Sequence, residues 1–346
     1  MKINLILTML CLGGSVAMAQ NDNKTPFLTK SLSSYGIKQA FVNTSGGSIQ
    51  VSGVTDGTAR VEVYVTNNHG ETLSKEEARK RIEKDYTLDI DVHDGEVHAT
   101  AKSKRESNWG WNNNNISVSF KVYVPVKTGT NLNTSGGSIH LDNLSGNEKF
   151  ETSGGSLHVD HLAGLIKGVT SGGSIHVSNS KDNIDLETSG GSISADNCQG
   201  TIRLETSGGS LNLTRLSGSI IANTSGGSVH GDDIGGELIT GTSGGSINLT
   251  GINGSLDAST SAGSLHAQFK QVGKYVKLDV SSGHIDLILP EKQALNLDIR
   301  AGNISKGQLN NFNGDVDKEH IRGSINGGGA VVRADAGSGR VNLSFN

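Results

Sequence analysis

The sequence predicts an all-β chain folded as a single-stranded parallel β-helix, or β-solenoid, with a small α+β insertion near its amino-terminal end. Three observations lead to this fold class. A Thr-Ser-Gly-Gly-Ser motif recurs every eighteen residues, apolar residues alternate at fixed places between the motifs, and proline is absent from residues 126 to 289. A fixed period of this kind is the signature of a repeat architecture, in which each turn of chain packs on the next.

The motif begins at Thr134 and returns without an insertion, and an earlier copy begins at Thr44. The last regular copy, at Thr260, reads Thr-Ser-Ala-Gly-Ser. We expect the paired glycines to form a corner of each turn, because glycine permits the positive φ that tight corners often require. These structural turn glycines are Gly136, Gly137, Gly154, Gly155, Gly172, Gly173, Gly190, Gly191, Gly208, Gly209, Gly226, Gly227, Gly244 and Gly245.

The residues between two motifs predict two short strands per turn. Counted from the motif threonine as position zero, positions five and seven are mostly aliphatic, as in Ile139 and Leu141, and so are positions fourteen and sixteen, as in Ile184 and Leu186. Alternation of this kind indicates strands with one inward face. The turns therefore have eighteen residues, and right-handed winding follows from the usual preference of parallel crossovers. Without proline, every central N–H is free to bond to the next turn.

Two other repeat types with compatible periods do not fit. A left-handed hexapeptide solenoid needs an aliphatic residue every six positions, whereas the spacings here are unequal. The calcium-binding nonapeptide needs a further glycine and an aspartate after each glycine pair, and both are missing after Gly136 and Gly137 and in all later copies.

Residues 1–19 are predicted to be a secretory signal peptide. Lys2 precedes an apolar run from Ile3 to Leu12, and Ala17-Met18-Ala19 supplies the small residues of a cleavage site after Ala19. The apolar run is too short to span a bilayer, and no transmembrane segment is expected after cleavage. We therefore expect export to the periplasm, the cell surface or the extracellular medium.

The mature chain divides into three predicted parts. Residues 20–39 are read as a flexible arm, and residues 40–133 as a first solenoid turn followed by a capping insertion. The insertion contains one helix at about 75–86, because Ser74 to Glu77 match a capping box. Residues 134–346 are the β-solenoid with a carboxyl-terminal cap. A solenoid needs caps, since its end turns would otherwise expose unpaired strand edges.

The mature chain resembles the bacterial putative-adhesin family, which consists of exported adhesin-like β-strand repeat proteins of unknown function. The features that carry the resemblance are the early Ser45–Ile49 turn, the helix-containing insertion, Val124-Pro125, the Ser-Gly-Gly-Ser-Ile ladder and the closing run Gly323–Gly329. Many relatives have aspartate where this chain has serine after the paired glycines. The resemblance implies a β-solenoid fold and suggests adhesion, and it offers no catalytic residues to carry over.

Composition and cysteine usage argue against nucleic-acid binding and against internal disulfides. The formal net charge of −4 gives no basic surface of the kind that nucleic acids require. Signal cleavage leaves Cys198 as a single thiol, so no internal disulfide is expected. Cys198 occupies position ten, where most turns carry leucine or isoleucine, and we therefore interpret it as a small buried apolar residue.

A column of outward histidines at position six is the first candidate site. His140, His158 and His176 stand on consecutive turns, and Asp142 and Asp160 stand two residues further along their strands. Stacked imidazoles beside carboxylates are able to bind a transition metal or to respond to pH. The alternative is an ordinary solvent-facing column, which the serine and asparagines at the same position in other turns favour.

Trp109 and Trp111, in an asparagine-rich loop, are the second candidate site. Exposed aromatic rings form apolar platforms for sugars or partner proteins. The alternative is that one or both rings plug the end of the solenoid.

The function that these features predict is an exported, adhesin-like, non-catalytic surface or envelope binding protein. Its expected partners are glycans or other envelope components, and it needs no cofactor. A carbohydrate-active β-helix enzyme of the lyase or hydrolase type is the alternative, and a purely structural spacer is another. An enzyme of that type needs clustered acidic groups and a basic residue. The basic residues of the central turns are scattered instead, at Lys167, Lys181, Arg203 and Arg215.

Overall fold

The computed structural model describes residues 25–104 and 116–346, which form one long, mostly parallel β-solenoid. The predicted all-β class is confirmed, and within the described residues there is one helix. The amino-terminal elements are β1 (Leu28–Ser31), β2 (Gln39–Thr44), β3 (Ile49–Val54), β4 (Arg60–Asn67), α1 (Lys75–Asp85), β5 (Tyr86–His93), β6 (Glu96–Ser103), β7 (Ile116–Pro125), β8 (Gly129–Thr134) and β9 (Ile139–Asp142).

The central turns alternate long and short strands, and the carboxyl-terminal turns are less regular. The central strands are β10 (Ser145–Thr152), β11 (Leu157–Asp160), β12 (Ala163–Thr170), β13 (Ile175–Ser178), β14 (Lys181–Thr188), β15 (Ile193–Asp196), β16 (Gln199–Thr206), β17 (Leu211–Thr214), β18 (Ser217–Thr224), β19 (Val229–Asp232) and β20 (Gly235–Thr242). The last strands are β21 (Ile247–Leu289), β22 (Leu295–Arg300), β23 (Asn303–Lys306), β24 (Phe312–Val316), β25 (His320–Ile325), β26 (Ala330–Asp335) and β27 (Arg340–Phe345).

Two parallel ladders run along the solenoid. The short-strand ladder contains the odd-numbered strands β9 to β19, and the long-strand ladder contains the even-numbered strands β8 to β20. In both ladders a residue pairs with the residue eighteen positions further on, as Leu157 does with Ile175 and Thr152 with Thr170. Equal positions of the repeat are therefore in contact along the whole stack. The handedness of the winding stays a prediction.

The early copy of the motif joins this stack directly. Thr44 in β2 pairs with Thr134 in β8, and Ile49 in β3 pairs with Ile139 in β9. The partners are ninety positions apart in sequence, yet they are neighbours in the ladders. The insertion between them therefore leaves the solenoid and returns without interrupting it.

Strands of the insertion cover the amino-terminal end. β6 and β7 add one further parallel pairing to β2 and β3, and antiparallel strands β5, β4 and β1 follow them. β1 lies inside residues 20–39, for which the sequence predicted a flexible arm, and Leu32 and Ile37 beyond it are buried. No sequence pattern predicts this strand, because its four residues are mostly exposed and show no apolar alternation.

Helix α1 spans Lys75–Asp85, one residue shorter than predicted. The Ser74 side chain accepts a hydrogen bond from the Glu77 N–H at 3.3 Å, which satisfies one of the free donors of the first turn. Ala78 and Ile82 are the buried residues of the helix, which packs on β5. The helix thus covers the antiparallel strand at the end of the long-strand ladder.

The carboxyl-terminal end closes by a mixture of pairings. β21 is one continuous extended run that turns corners, since its early residues pair with β19 and β20 and its late residues pair with β26 and β27. β22 then pairs with β26 in parallel and with β25 in antiparallel. The antiparallel hairpin of β24 and β25 follows. The carboxyl-terminal end therefore combines parallel and antiparallel pairings.

The core is a column of aliphatic side chains inside the turns. Cys198 is 1% exposed and takes the place of the leucine or isoleucine of other turns, which confirms its interpretation as a buried apolar residue. Burial raises the pKa of its thiol. Phe150 is also fully buried, and its ring occupies the space that a side chain at Gly168 would need in the next turn.

The glycine pair has a different role from the predicted one. Positive φ angles occur at position nine, where they lie between 49° and 67°, and at most position-twelve residues, whereas the fourteen paired glycines have none. The second glycine of each pair lies against the backbone of the preceding turn. A Cβ on Gly173 would be 1.9 Å from the carbonyl oxygen of Gly155, far inside van der Waals contact. Close approach between turns, and not φ, therefore requires this glycine.

The threonine of the motif stabilises the same corner through hydrogen bonds of its hydroxyl group. Thr152 Oγ1 donates a hydrogen bond to the Gly137 carbonyl of the preceding turn at 2.8 Å and accepts one from the Gly155 N–H at 3.3 Å. The hydroxyl is buried, so both bonds satisfy groups that water does not reach. The same bond to the preceding turn is made by Thr134, Thr170, Thr188, Thr206, Thr224, Thr242 and Thr260.

The two glycines of a pair should differ sharply in their tolerance of alanine. Gly173→Ala places a Cβ against backbone, and we expect it to lower the free energy of unfolding by about 3 kcal/mol. At Gly172 the nearest atom to an added Cβ is 3.7 Å away, so Gly172→Ala should be close to neutral. Urea unfolding of both variants measures the difference, and equal unfolding midpoints would contradict the close-approach explanation.

A carboxylic acid interrupts the apolar core. Glu148 occupies position fourteen, where the next turns carry Ile166, Ile184 and Ile202, and it is fully buried. Its Oε2 accepts a hydrogen bond from Thr130 Oγ1 at 2.6 Å, and Oε1 has no hydrogen-bond partner among the described residues. Burial raises the pKa of Glu148 from 4.5 to about 7.

Glu148 should make the fold less stable at neutral and alkaline pH than at acidic pH. The folded chain holds the proton more tightly than the unfolded chain, so stability falls as the pH rises from about 4.5 to 7, by roughly 3 kcal/mol. Glu148→Gln keeps the shape without the charge and should remove this loss. Thermal unfolding of both proteins at pH 5 and pH 8 tests it. If the wild type and Glu148→Gln depend on pH equally, Glu148 does not ionise in the core.

Candidate functional site

The outward side chains of the short-strand ladder form a continuous polar strip at positions six and eight. Strands β9 to β19 and the start of β21 supply them in register, so that like positions are neighbours along the solenoid. The polar strip consists of His140, Asp142, His158, Asp160, His176, Ser178, Ser194, Asp196, Asn212, Thr214, His230, Asp232, Asn248 and Thr250.

The three predicted histidines lie together at one end of the polar strip. The ring centroids of His140 and His158 are 4.4 Å apart with planes 8° from parallel, and those of His158 and His176 are 5.2 Å apart with planes 5° from parallel. The rings therefore form a face-to-face stack along the ladder.

The neighbouring carboxylates cross-link the turns. Asp142 Oδ1 accepts a hydrogen bond from Ser52 Oγ at 2.7 Å. Asp160 Oδ1 accepts from Ser178 Oγ at 2.7 Å and from the Asn179 side-chain amide at 2.8 Å. Desolvation acts to raise the pKa of Asp160, but these hydrogen bonds and the contact with His161 lower it overall. The carboxylates are thus engaged in holding successive turns in register.

This arrangement does not favour a metal ion on the histidine column. Among the described residues, no three ligand atoms of this column lie within 4.8 Å of one another, whereas a metal ion needs ligand atoms that converge on one point. Metal binding by His140, His158, His176, Asp142 and Asp160 therefore stays a prediction.

Stacking changes the acidity of the histidines. Desolvation lowers the pKa of His140, and the nearby His158 lowers it further, while Asp142 acts in the opposite direction. The pKa of His158 is lowered by desolvation and by His176. The neutral forms of His140 and His158 are therefore favoured, because burial disfavours an imidazolium charge and adjacent imidazolium charges would repel.

A shallow depression of about 230 Å³ lies further along the polar strip. Three successive turns line it, and Thr250 Oγ1 donates a hydrogen bond to Asp232 Oδ1 at 2.7 Å across two of them. Its polar lining consists of Asn212, Thr214, His230, Asp232, Asn248 and Thr250. Amide, hydroxyl, imidazole and carboxylate groups on one open surface can both donate to and accept from a polyhydroxylated ligand.

Three basic side chains of the central turns form ion pairs with carboxylates of the same or a neighbouring turn. Arg203 contacts Asp185 at 3.3 Å and Glu205 at 2.6 Å, and Lys167 approaches Asp185 at 3.6 Å. Arg215 pairs with Asp196 in the same way.

The other predicted features fall outside the described residues. Trp109 and Trp111, as ligand-binding candidates, and the signal peptide at residues 1–19 stay predictions. Within residues 25–104 and 116–346, no helix is long and apolar enough to cross a bilayer.

Sequence reasoning missed one cluster, on the β5–β6 hairpin. Possible ligand atoms of His93, Glu96 and His98 all lie within 4.8 Å of one another. A signal for it exists in the sequence, where an Asp-x-His run and a Glu-x-His run flank Asp94-Gly95. A hairpin at that dipeptide brings the two runs side by side.

Comparison with protein families gives a match for the carboxyl-terminal part of the chain. Residues 236–344 match the family described as Toastrack DUF4097. This match shows that the carboxyl-terminal part of the chain is similar to that family. It confirms the resemblance that the repeated motif and the closing glycine run predicted, and no curated protein matches the chain.

Two solved structures are similar to the chain at low identity. One is described as a putative cell adhesion protein from Clostridium sporogenes, is 12% identical over 92% of this chain and 98% of its own, and has a TM-score of 0.19. The other is described as a putative adhesin from Bacteroides fragilis, is 14% identical over 73% of this chain and 95% of its own, and has a TM-score of 0.30.

The histidine stack should be visible in solution as coupled titrations. By NMR, His140 and His158 should titrate below the ordinary histidine pKa of about 6.5. His158→Asn removes the charge that repels protonated His140, so the pKa of His140 should rise. His230→Asn, on a distant turn, serves as the matched control and should leave His140 unchanged. An unaltered His140 pKa in His158→Asn would show that the two rings do not interact.

Proposed function

We propose that the protein is an exported, adhesin-like and non-catalytic binding protein of the cell surface or envelope, which presents the polar strip to glycans or other envelope components. The observation that carries the proposal is the in-register polar strip, whose like positions repeat on every turn of the short-strand ladder. A surface that repeats with the turn spacing of about 4.8 Å suits a ligand that is itself extended and repetitive.

The polar strip is preorganised for binding, because hydrogen bonds between turns already order several of its side chains. Ser52 and Asp142, Ser178 and Asp160, and Thr250 and Asp232 are hydrogen-bonded from one turn to the next. Side chains that are ordered before the ligand arrives lose less conformational entropy on binding. Asp142, Asp160, Ser178 and Thr250 are half-buried and Asp232 is exposed, so hydroxyl groups of a glycan can reach them.

The shape of the surface also favours an extended ligand. Sites for small molecules are usually enclosed and largely apolar. The depression between Asn212 and Asn248 is shallow, open and polar instead. A polymer that lies along several turns would gain many weak contacts, which is the binding mode expected of an adhesin-like surface.

A non-catalytic role agrees with the charges of the central turns. Asp185 and Glu205 lie in ion pairs with Arg203, and the strip carboxylate Asp160 is occupied by hydrogen bonds. Acid–base catalysis needs a titratable group free to exchange a proton with substrate. The predicted signal peptide and the adhesin-like family resemblance support an exported location.

Binding to a glycan array tests the proposal. Asn212→Arg with Asn248→Arg places two long side chains on either side of His230 and should weaken glycan binding by about tenfold or more. Thr201→Arg with Ser219→Arg adds the same charge at exposed positions of the long-strand ladder and should leave binding nearly unchanged.

Three results would contradict the proposal. The first is that the wild type binds neither glycans nor isolated envelope material. The second is that the variant Asn212→Arg with Asn248→Arg binds as well as the wild type. Release of shortened or unsaturated sugars from acidic polysaccharides would instead indicate a carbohydrate-active enzyme.

A further inference from the structure

The β5–β6 hairpin carries two imidazoles and two carboxylates on one face. Asp91 pairs directly with His98 across the hairpin, and His93 pairs with Glu96. Val97, between the two β6 members, points into the core and is fully buried, so all four of these side chains lie on the outer face. We call Asp91, His93, Glu96 and His98 the hairpin quartet.

The distances within the hairpin quartet suit a bound ion. Ligand atoms of His93, Glu96 and His98 lie within 4.8 Å of one another, and His98 Nε2 is 3.1 Å from Glu96 Oε2. Ligands about 2.1 Å from a tetrahedral zinc ion are about 3.4 Å apart from each other. Small side-chain rotations are therefore enough to direct the three ligand atoms at one point.

The backbone under the quartet is fixed. Asp94 and Gly95 have φ angles of 51° and 79°, as a tight two-residue hairpin turn requires. The Lys38 N–H donates a hydrogen bond to the Gly95 carbonyl at 2.7 Å, which ties the turn to the neighbouring chain. Ligands on a restrained hairpin lose little freedom when an ion binds.

The two imidazoles are close together before any ion arrives. His98 lies between Phe41, with ring centroids 4.6 Å apart, and His93, with centroids 5.0 Å apart and planes 9° from parallel, so one imidazole must turn about its side-chain bonds for both to face one ion. Asp91 Oδ2 contacts His93 Nδ1 at 3.0 Å, which leaves Nε2 of that ring to face a ligand. A carboxylate behind a histidine in this way is the usual support of a metal-binding imidazole.

We propose that the hairpin quartet is a binding site for a divalent transition-metal ion of the zinc class. His93, Glu96 and His98 are the ligands, and Asp91 is a positioning residue that acts through His93. Imidazole with carboxylate favours zinc, cobalt, nickel or copper over calcium or magnesium, which prefer oxygen alone. Three protein ligands leave a fourth position for water or for a group of another molecule.

The site is independent of the proposed glycan surface. The quartet lies on the amino-terminal cap, where β6 pairs with β2, whereas the polar strip runs along the short-strand ladder. It also differs from the histidine column in geometry. The quartet joins nitrogen and oxygen ligands across two strands, whereas the column stacks three rings without a converging carboxylate.

Cobalt titration of the chain, purified without a histidine tag, tests the proposal. Co²⁺ should bind with a stoichiometry of one per chain and give the visible absorption of a low-coordinate site, and Zn²⁺ should displace it. The variant His93→Ala with His98→Ala should lose this signal. The matched control, His140→Ala with His158→Ala, also removes two stacked exposed histidines and should keep it.

Two conservative variants separate binding from folding. Glu96→Gln keeps the size of the side chain and should weaken Zn²⁺ binding at least tenfold, as measured by calorimetry. Asp91→Asn should weaken it by about tenfold with an unchanged stoichiometry, as expected for loss of a supporting carboxylate. Ring nitrogen NMR shifts of His93 and His98 on addition of Zn²⁺ identify the ligands directly.

The proposal is overturned if the wild type binds no Co²⁺ or Zn²⁺ at micromolar concentration. It is equally overturned if the hairpin variant binds as the wild type does while the column variant loses the ion. Neither outcome changes the expected glycan binding, so the metal proposal can be wrong while the proposed function stands, and the reverse.

Discussion

The close approach of one backbone turn to the next, at the second glycine of each motif, is the constraint on which the rest of the structure depends. At this corner there is no room for a Cβ, and the buried threonine hydroxyl ties the same carbonyl to the following turn. Any added atom would push the turns apart and break the register of both ladders. The core columns, the polar strip and the histidine stack all exist because that register is kept.

This constraint explains which departures from the motif occur. Ala262 and Ser282 replace the first glycine of their pairs, where the neighbouring turns retain glycine without needing it. The second glycine persists beside them, at Gly263 and Gly283, and an added Cβ there would lie 2.4 Å and 2.0 Å from a carbonyl oxygen. At these two glycines φ is also positive, at 149° and 155°, so both the lack of space and the backbone angle favour glycine there.

Much of the fold could be predicted because periodicity reports repeated contacts. The interval from Thr134 predicts the register, and alternation predicts the inward residues. Three features escaped that reasoning for physical reasons. β1 is too short and exposed to show alternation, and Glu148 looks like an ordinary polar exception to an apolar column. The hairpin quartet becomes visible only when the runs on either side of Asp94-Gly95 are paired across a hairpin, because its members belong to two separate runs. The positions of His140, His158 and His176 were predictable, but their face-to-face stacking was not.

The ninety-residue separation between Thr44 and Thr134 has a consequence for how the chain reaches its final form. Neighbouring central turns are joined by eighteen residues, so each can add to the one before through a short loop. Docking of β2 and β3 instead closes a much longer loop, and the entropy of that closure must be overcome before its contacts form. The central turns can therefore assemble first, and the amino-terminal cap, with its hairpin, joins an already ordered stack.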